Sequence, residues 1–505
     1  MQNVLHHADL AEEGRVSQLS FMLKFEWTNW LALGRLLAKD EVRRRTPKAS
    51  PLYIFAENNL PNLIEAHPSR FSYFELENEC YGSPLYASIV TGSYQALRKF
   101  LELEVQKQPE IPLLRGLLGQ FCSGERCSLD LRYNFERGPK ALNPLITCHK
   151  GILAPFLLAA GKNLGILFED WHSGIIRAMV KGRERFTLQL LAAGLDLKTR
   201  KSGELMLLRA SSGGWVEVFR EILTRGTFDM NYCRSRGETP LAIACQQGHI
   251  EIVKMILSTG KVDVDTRDVQ GWSPFSRAAQ QGHKEIAKLL IDTGEVDLNI
   301  EIPRSLYTTT PLVIASRKGY VEIVRLLLGT GRVAVNSKSR FGRTPLSLAA
   351  ERGDRHIAFL LLRTEDIDVN TRDKECRTPL SYAAENGCTQ VLSLLVMSPN
   401  IDLNVGDRTG WSPLFYAICR SHQGCLKVLL QQPNVNVNLS SSNGLTPLIL
   451  AARTGHVGIV KLLLKRAELD VNTTTLWGVS ALSMAKGEKH QEVVEVLLAS
   501  GKIKE

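Results

Sequence analysis

One stretch of this sequence gathers residues that could hold a metal ion. Cys122 and Cys127 are separated by four residues, and Cys148 and His149 follow downstream. Thiolates and imidazoles are ligands that zinc prefers. The four residues do not complete a usual zinc-site spacing, and Cys122 and Cys127 fall in a segment that interrupts the repeat described below. We therefore predict no metal site.

The motifs of the common catalytic sites are missing from the sequence. A phosphate-binding loop requires Gly-x4-Gly-Lys followed by Ser or Thr, and the nearest fragment, which begins at Gly161, continues as Lys-Asn. There is no His-Glu-x-x-His motif, no Gly-x-Ser-x-Gly elbow and no Gly-x-Gly-x-x-Gly after a strand. We predict no catalytic residue, no cofactor and no small-molecule substrate, and hence no enzyme.

Histidine returns at one position of a repeating pattern, at His249, His283, His422 and His456. A residue that recurs in register with a repeat serves the repeat itself. We predict that these rings pack and form hydrogen bonds beside a glycine turn, and that they neither bind metal nor catalyse a reaction.

The elements that position these residues repeat along the chain. A Thr-Pro-Leu tripeptide, or a close variant, returns every 34 residues with one interval of 37. Its prolines are Pro240, Pro274, Pro311, Pro345, Pro379, Pro413 and Pro447. Such a period is typical of a solenoid, in which each unit buries its apolar face against its neighbours.

The letters of the repeat predict two helices per unit. Thr239 is placed to cap a helix that begins at Pro240, where a missing N–H costs nothing. Gly248 supplies the left-handed residue that ends this helix. Apolar residues then follow with helical spacing in a second helix, at Ile252, Val253, Ile256 and Leu257.

Each unit closes on an Asp-x-Asn element or a variant of it, such as the run that ends at Asn370. Together with Thr-Pro-Leu at this period, the pattern closely resembles the ankyrin repeat. The resemblance implies an all-α ankyrin-repeat solenoid of stacked helix-turn-helix units with β-hairpin fingers. We predict an N-terminal helical cap over residues 1–48, degenerate ankyrin-like repeats over 49–200 with an insertion near 104–140, and about nine repeats, including a C-terminal cap, over 201–505.

Residues 43–70, RRRTPKASPLYIFAENNLPNLIEAHPSR, resemble the region that links the NTPase to the ankyrin array in fungal NACHT-ankyrin proteins. Stand-alone fungal ankyrin proteins of this kind are described as transcription coregulators of secondary-metabolite gene clusters, such as the aspergillic acid cluster. This resemblance implies a coregulator that binds a transcription factor. The alternative is an NTPase-less sensor related to the NACHT-ankyrin immune-type proteins.

Ankyrin proteins generally bind through their fingers and the inner face of their first helices, so the resemblance predicts a partner site there. The chain carries a formal net charge of +10, which favours an acidic partner without separating nucleic acid, peptide and membrane surface. Acidic neighbours such as Asp373 and Asp407 dilute the positive charge, which argues against duplex DNA as the partner. We predict a groove for an acidic or mixed protein segment; its cations are Arg317, Lys338, Arg340, Arg343, Arg352, Arg372, Arg377 and Arg408.

Two tryptophans, Trp272 and Trp411, stand just before a Ser-Pro pair. Tryptophan is enriched at interface hot spots, so these residues are candidate partner anchors. The alternative is that each packs on the neighbouring finger.

The sequence also carries signals about location. The first residues lack the basic and apolar regions of a signal peptide, and no window holds 18 consecutive apolar residues. We predict an intracellular protein with reduced cysteines and no membrane partner. The basic run from Arg43 to Lys48 could act as a nuclear localisation signal, which favours the nucleus over the cytoplasm alone.

Overall fold

The computed structural model describes residues 2–14, 16–18, 25, 49–70, 84–91, 93–123, 155–156, 159–160, 184–193, 202–302 and 309–503. Its regular secondary structure, within these ranges, is helical without a β-sheet. The predicted all-α repeat fold is therefore confirmed. The helices fall into two compact units, Met1–Phe228 and Asp229–Glu505.

The first unit contains short helices, several of which begin at a proline. Ser50 caps the helix that starts at Pro51, where its side chain accepts a hydrogen bond from the Tyr53 N–H. The helices are α1 Gln2–Glu13, α2 Pro51–Glu57, α3 Pro61–Ala66, α4 Pro84–Val90, α5 Tyr94–Lys107, α6 Pro112–Ser123, α7 Glu184–Ala192, α8 Ser202–Gly213 and α9 Val216–Thr224. Helix α6 and the end of α5 thus occupy the first part of the predicted insertion.

Helix α1 covers the start of α3. The carboxylate of Asp9 accepts a hydrogen bond from the Leu63 N–H at 2.9 Å, a donor of the α3 first turn that the helix itself leaves unpaired. It accepts a second hydrogen bond from the Asn62 side chain at 3.2 Å. Burial raises the pKa of Asp9 despite these bonds. Most of the predicted cap, including Phe21, Trp27 and Trp30, lies outside the described residues.

The second unit is a regular stack of helix pairs. The first helices of the pairs are α10 Pro240–Gln247, α12 Pro274–Gln281, α14 Pro311–Lys318, α16 Pro345–Arg352, α18 Pro379–Glu385, α20 Pro413–Cys419, α22 Pro447–Thr454 and α24 Ala481–Gly487. The second helices are α11 Ile250–Ser258, α13 Lys284–Asp292, α15 Val321–Gly329, α17 Arg355–Leu362, α19 Thr389–Val396, α21 Gln423–Leu430, α23 Val457–Leu464 and α25 Gln491–Ala499. First helices contact first helices of adjacent pairs, and second helices do likewise.

The helices of the repeats are capped by the residues that the sequence pattern predicts. The Thr239 hydroxyl accepts from the Ala242 N–H, and Gly248 ends the helix with φ of 84°. A side chain at Gly248 would collide with the ring of His283, whose Nε2 lies 3.2 Å from the Gln246 carbonyl oxygen. His422 makes the same bond to the Glu385 carbonyl at 2.9 Å. These two rings therefore pack beside the glycine turn, as predicted.

An asparagine ladder ties each finger to the next; a finger is the segment that joins a second helix to the following first helix. The Asn370 side chain donates to the Asn400 carbonyl at 2.7 Å and accepts from the Asp402 N–H at 2.9 Å. Asn336, Asn404 and Asn438 repeat both bonds at their own fingers. The Asp-x-Asn element of the sequence thus has a structural purpose.

The ladder carries one substitution, Asp265, at a position that holds asparagine in the other repeats. A carboxylate can accept the Asp297 N–H but cannot donate to a carbonyl. Its Oδ1 atom is buried without a hydrogen-bond partner. Burial, and then the nearby Asp297, raise the pKa of this carboxyl above its ordinary 3.8. The ionised form is therefore disfavoured in the folded state.

Asp265→Asn is expected to stabilise the protein by about 1 kcal/mol at neutral pH, because an amide restores the missing donor. The gain should shrink as the pH falls towards 3.8, where protonation of Asp265 removes the penalty from the wild-type chain. Urea unfolding across this pH range measures both effects. Asp263→Asn makes the same charge change at an exposed residue that keeps its acceptor oxygen, and an equal gain from it would contradict the explanation.

Candidate protein-binding surface

Three consecutive fingers hold most of the predicted site: residues 337–343, 371–377 and 405–411, called the basic fingers. Each is closed by a backbone hydrogen bond, such as Asp373 N–H to Arg377 O at 3.0 Å. Adjacent fingers are joined at their tips, where the Lys374 N–H donates to Phe341 O at 3.0 Å and the Arg408 N–H donates to Glu375 O at 3.2 Å. The backbone thus fixes the spacing of their side chains.

The outer cations of the basic fingers brace the neighbouring backbone, and Arg408 also lies 3.6 Å from Glu375 in an exposed ion pair. Lys338 donates to the Arg372 carbonyl at 3.3 Å, Arg372 to the Gly406 carbonyl at 2.7 Å, and Arg408 to the Lys374 carbonyl at 2.8 Å. A carbonyl oxygen does not neutralise a guanidinium or an ammonium group. Arg340 is also exposed. The outer rim therefore remains positively charged.

The inner cations are neutralised within the protein. Arg343 donates to both carboxylate oxygens of Glu351 at 2.9 Å, and Arg377 pairs with Glu385. Arg352 pairs with Asp354 at 3.0 Å. Each guanidinium of Arg343 and Arg377 has a carboxylate partner on the first helix of its own repeat, so replacing either residue is expected to cost stability.

Two tyrosines pack against the inner cations Arg343 and Arg377. The Arg377 guanidinium lies 4.1 Å from the ring centroid of Tyr382 and 4.5 Å from that of Tyr416, and Arg343 lies 4.8 Å from Tyr382. The Tyr382 hydroxyl donates to Asp373 at 2.5 Å. Burial, with this hydrogen bond, raises the pKa of Tyr382, so the phenol stays a donor at neutral pH. Arg377 is therefore held between two aromatic faces.

Sequence reasoning missed these tyrosines. Tyr382 and Tyr416 occupy the third position after the repeat proline. The corresponding residue in another repeat, Arg277, pairs with Asp268. Asp407 accepts the Tyr416 hydroxyl at 2.5 Å. The signal available in the sequence was the constant nine-residue spacing between these acids and the residues they hold.

Trp272 is buried, with 7% of its surface exposed. It packs with Ile302 and with Ile314 of the next repeat, and the Arg277 guanidinium lies 5.0 Å from the centre of its ring. The indole therefore packs inside the array, as in the alternative to the anchor role. Its contacts include the first helix of the next repeat as well as the neighbouring finger. It is unavailable as a partner anchor in this arrangement.

Trp411 is half-buried. Its ring stacks on Phe415 at 6.0 Å and meets the edge of Tyr416 at 5.6 Å, so one face belongs to the array. The most exposed tryptophan of the described residues is instead Trp477, at 72%. It stands at a fingertip, two positions before the site that Trp272 and Trp411 occupy in their repeats. Position within the finger, not residue type, would have identified it.

Arg317 lies in the last turn of α14 and borders an open groove. The groove has a volume of about 240 Å³ and is lined by Val313, Arg317, Ser339, Phe341, Arg343, Leu348 and Glu351. It lies between the first basic finger and the helices α14 and α16. Of the ten predicted site residues, Arg317 and Arg343 line this groove.

A family model described as ankyrin repeats matches six overlapping segments, 175–268, 207–302, 257–339, 299–373, 346–441 and 425–505. The matches cover more than half of the 505 residues. This chain belongs to the ankyrin-repeat family. The matched region begins before residue 201 and so includes the last part of the segment predicted as degenerate repeats.

Ankyrin repeats mediate binding between proteins, and this ankyrin array is an interaction scaffold. Ankyrin proteins are typically non-enzymatic interaction modules. No curated protein matches the chain. The resemblance of residues 43–70 to the NACHT-ankyrin proteins, and the coregulator role it implies, therefore stay predictions.

The described part of the ankyrin chain shows neither a metal-ligand cluster nor a membrane-spanning helix. It contains no group of three or more His, Cys, Asp or Glu side chains that could hold a metal ion. Cys127, Cys148 and His149, which were considered as zinc ligands, lie outside that part of the chain. No helix among the described residues has the length and apolar character needed to span a membrane.

Proposed function

We propose that this ankyrin protein binds an acidic segment of another protein along the outer rim of the basic fingers. The observation that carries the proposal is the charge of that rim. It exposes one carboxylate, Glu375, against five cations: Lys338, Arg340, Arg372, Lys374 and Arg408. Such an imbalance attracts and orients a negatively charged partner.

The other carboxylates of these fingers, Asp373 and Asp407, are half-buried, so they reduce the positive charge of the rim without cancelling it. Asp373 and Asp407 accept hydrogen bonds from tyrosine hydroxyls and from backbone N–H groups of their own fingers. The following fingers, 439–445 and 473–479, carry no charged residue. The positive surface thus ends after the third basic finger, and three neighbouring fingers give a length suited to an extended peptide segment.

Two partner classes follow from the predicted resemblance. A coregulator of a fungal secondary-metabolite cluster would bind a transcription factor, and the protein would then be nuclear. A relative of the NACHT-ankyrin proteins would bind an NTPase in trans. The Arg43–Lys48 run that would direct nuclear import lies outside the described residues. Imaging of a tagged chain with and without this run tests the nuclear prediction.

The proposal is tested by reversing charge at the rim. The triple variant Lys338→Glu, Arg340→Glu, Lys374→Glu changes exposed residues and leaves Arg372 and Arg408, with their shorter carbonyl bonds, in place. Partners are first identified by affinity capture and mass spectrometry, and their dissociation constants are then measured. We expect at least about tenfold weaker binding, since close like charges oppose association.

The matched control is Lys427→Glu, Lys461→Glu, Lys465→Glu, which makes the same net charge change at exposed positions at or beside the second helices. It should bind as the wild type does. Equal loss in both triples would show that only net charge matters and would reject the rim. If a nucleic acid is captured and its log affinity falls steeply and linearly with log salt concentration, the partner is a phosphate backbone and not a protein.

A further inference from the structure

The groove beside the first basic finger has an apolar floor and an apolar wall. Its floor is made by Val313 and Leu348, which are almost fully buried. Its wall is Phe341, a fingertip residue with 50% of its surface exposed. A phenylalanine ring loses favourable burial when it faces water. The groove thus presents apolar surface at the edge of the charged rim.

The size of the groove limits what it can hold. Pockets for drug-sized ligands measure roughly 300–1,000 Å³ and enclose most of the molecule. This groove is open and measures about 240 Å³. It matches one bulky side chain that enters from an extended backbone, and it is too small and too open for a separate small molecule.

The charges around the groove describe the neighbours of that side chain. The Arg343 guanidinium is neutralised by Glu351 at the groove, so the interior carries no excess charge. Lys338 and Arg340 are exposed on the same finger as Phe341, and Arg317 lies at the other edge. The surroundings are therefore positive and the interior neutral.

We infer that this groove anchors one bulky apolar side chain of an acidic partner segment. The recognised motif is a phenylalanine, leucine or methionine flanked by aspartate or glutamate. The apolar side chain packs against Phe341, Val313 and Leu348, while the flanking carboxylates face the cations of the rim. This inference rests on the proposed function and adds the sequence specificity that charge alone does not supply.

A random peptide library displayed on phage tests the motif directly. Selection on the full-length wild-type chain should enrich peptides with one bulky apolar residue among acidic residues. Selection on Phe341→Ser should keep the acidic preference and lose the apolar one. For an enriched peptide, Phe341→Ser should weaken binding about tenfold in fluorescence anisotropy, the effect expected for one buried apolar side chain.

Phe359→Ser is the matched control, because Phe359 is an exposed phenylalanine on the second helix of the same repeat. It should select the same peptides as the wild type. Phe341→Leu keeps an apolar wall and should retain the motif, which covers the case in which the serine variant is poorly folded. Thermal melting of each variant reports its folding.

The outcomes separate the two proposals. Acidic peptides without an apolar preference, or an apolar preference that survives in Phe341→Ser, would overturn the anchoring groove and leave the charged rim standing. Peptides without an acidic preference would overturn the proposed function itself. Light scattering that shows a dimer dispersed by Phe341→Ser would assign the groove to a second copy of this chain and reject the peptide anchor.

Discussion

Replacing Trp272 with alanine is expected to lower the free energy of unfolding by about 3–5 kcal/mol, the usual cost of deleting a buried tryptophan side chain. The indole is 7% exposed and lies in one apolar cluster with Ile302 and Ile314. Its removal leaves a cavity between two repeats, and in a solenoid the interface between neighbours is a main source of stability. Urea denaturation followed by far-UV circular dichroism measures the loss.

Trp477→Ala provides the comparison, because it deletes the same side chain from a fingertip where 72% of the surface is exposed. It should change the free energy of unfolding by no more than about 0.5 kcal/mol. The difference in fluorescence between the wild type and each variant reports one tryptophan. Acrylamide should quench the contribution of Trp477 more strongly than that of Trp272. Similar costs for the two substitutions would mean that Trp272 is not part of the array core.

Arg377→Ala is expected to destabilise the protein by about 3 kcal/mol, because it removes the more buried of the two cations that pair with Glu385. The Arg377 side chain is 16% exposed, contacts Glu385 and lies between the rings of Tyr382 and Tyr416. Lysine lacks the planar, multiply donating guanidinium group that fits this place. Arg377→Lys should therefore recover only part of the loss in a urea titration.

Arg420→Ala removes the second cation of Glu385, which lies 3.3 Å away on a side chain that is 60% exposed. Exposed ion pairs contribute about 0–1 kcal/mol, so this variant should be nearly neutral. If Arg377→Ala lowered the free energy of unfolding as little as Arg420→Ala does, the buried pair of Arg377 and Glu385 would not be a main source of stability at this place.

The same ion pair predicts a pH dependence. Burial opposes ionisation of Glu385, but the hydrogen bond and charge of Arg377 outweigh it and lower the pKa of this carboxyl below 4.5. A carboxyl with a lowered folded-state pKa contributes stability above its unfolded value and loses it as the pH falls further. The gap in stability between wild type and Arg377→Ala should accordingly narrow below about pH 4.5.

The repeat grammar was sufficient to predict the helix pairs of the second unit. Thr-Pro at a helix start and glycine at its end act within a few residues, so local physics determines them. The asparagine element was visible as a pattern, yet its purpose was not, because its partners lie about 30 residues away in the chain. Asp265 could be noticed as an exception only after the ladder was known.

The candidate surface was predicted less well, and the reason is geometric. Charge and residue type identified the basic fingers, but they did not show which way each cation points. Residues two positions before the repeat proline turn inwards, towards the fourth residue of a first helix: Trp272 meets Ile314, and Arg377 meets Tyr416. The predicted site residues Trp272, Arg343 and Arg377 thus pack within the array.

By itself the sequence determined the ankyrin fold, the helix starts and ends of the regular repeats, and the excess of cations in three fingers, because each of these depends on local residue preferences and composition. Only the tertiary structure decided which cations keep their charge at the rim and which are neutralised by a carboxylate. It also placed Phe341 beside Leu348 and Val313. Such pairings join residues from different repeats or from both ends of a helix, and their energy depends on distance and burial.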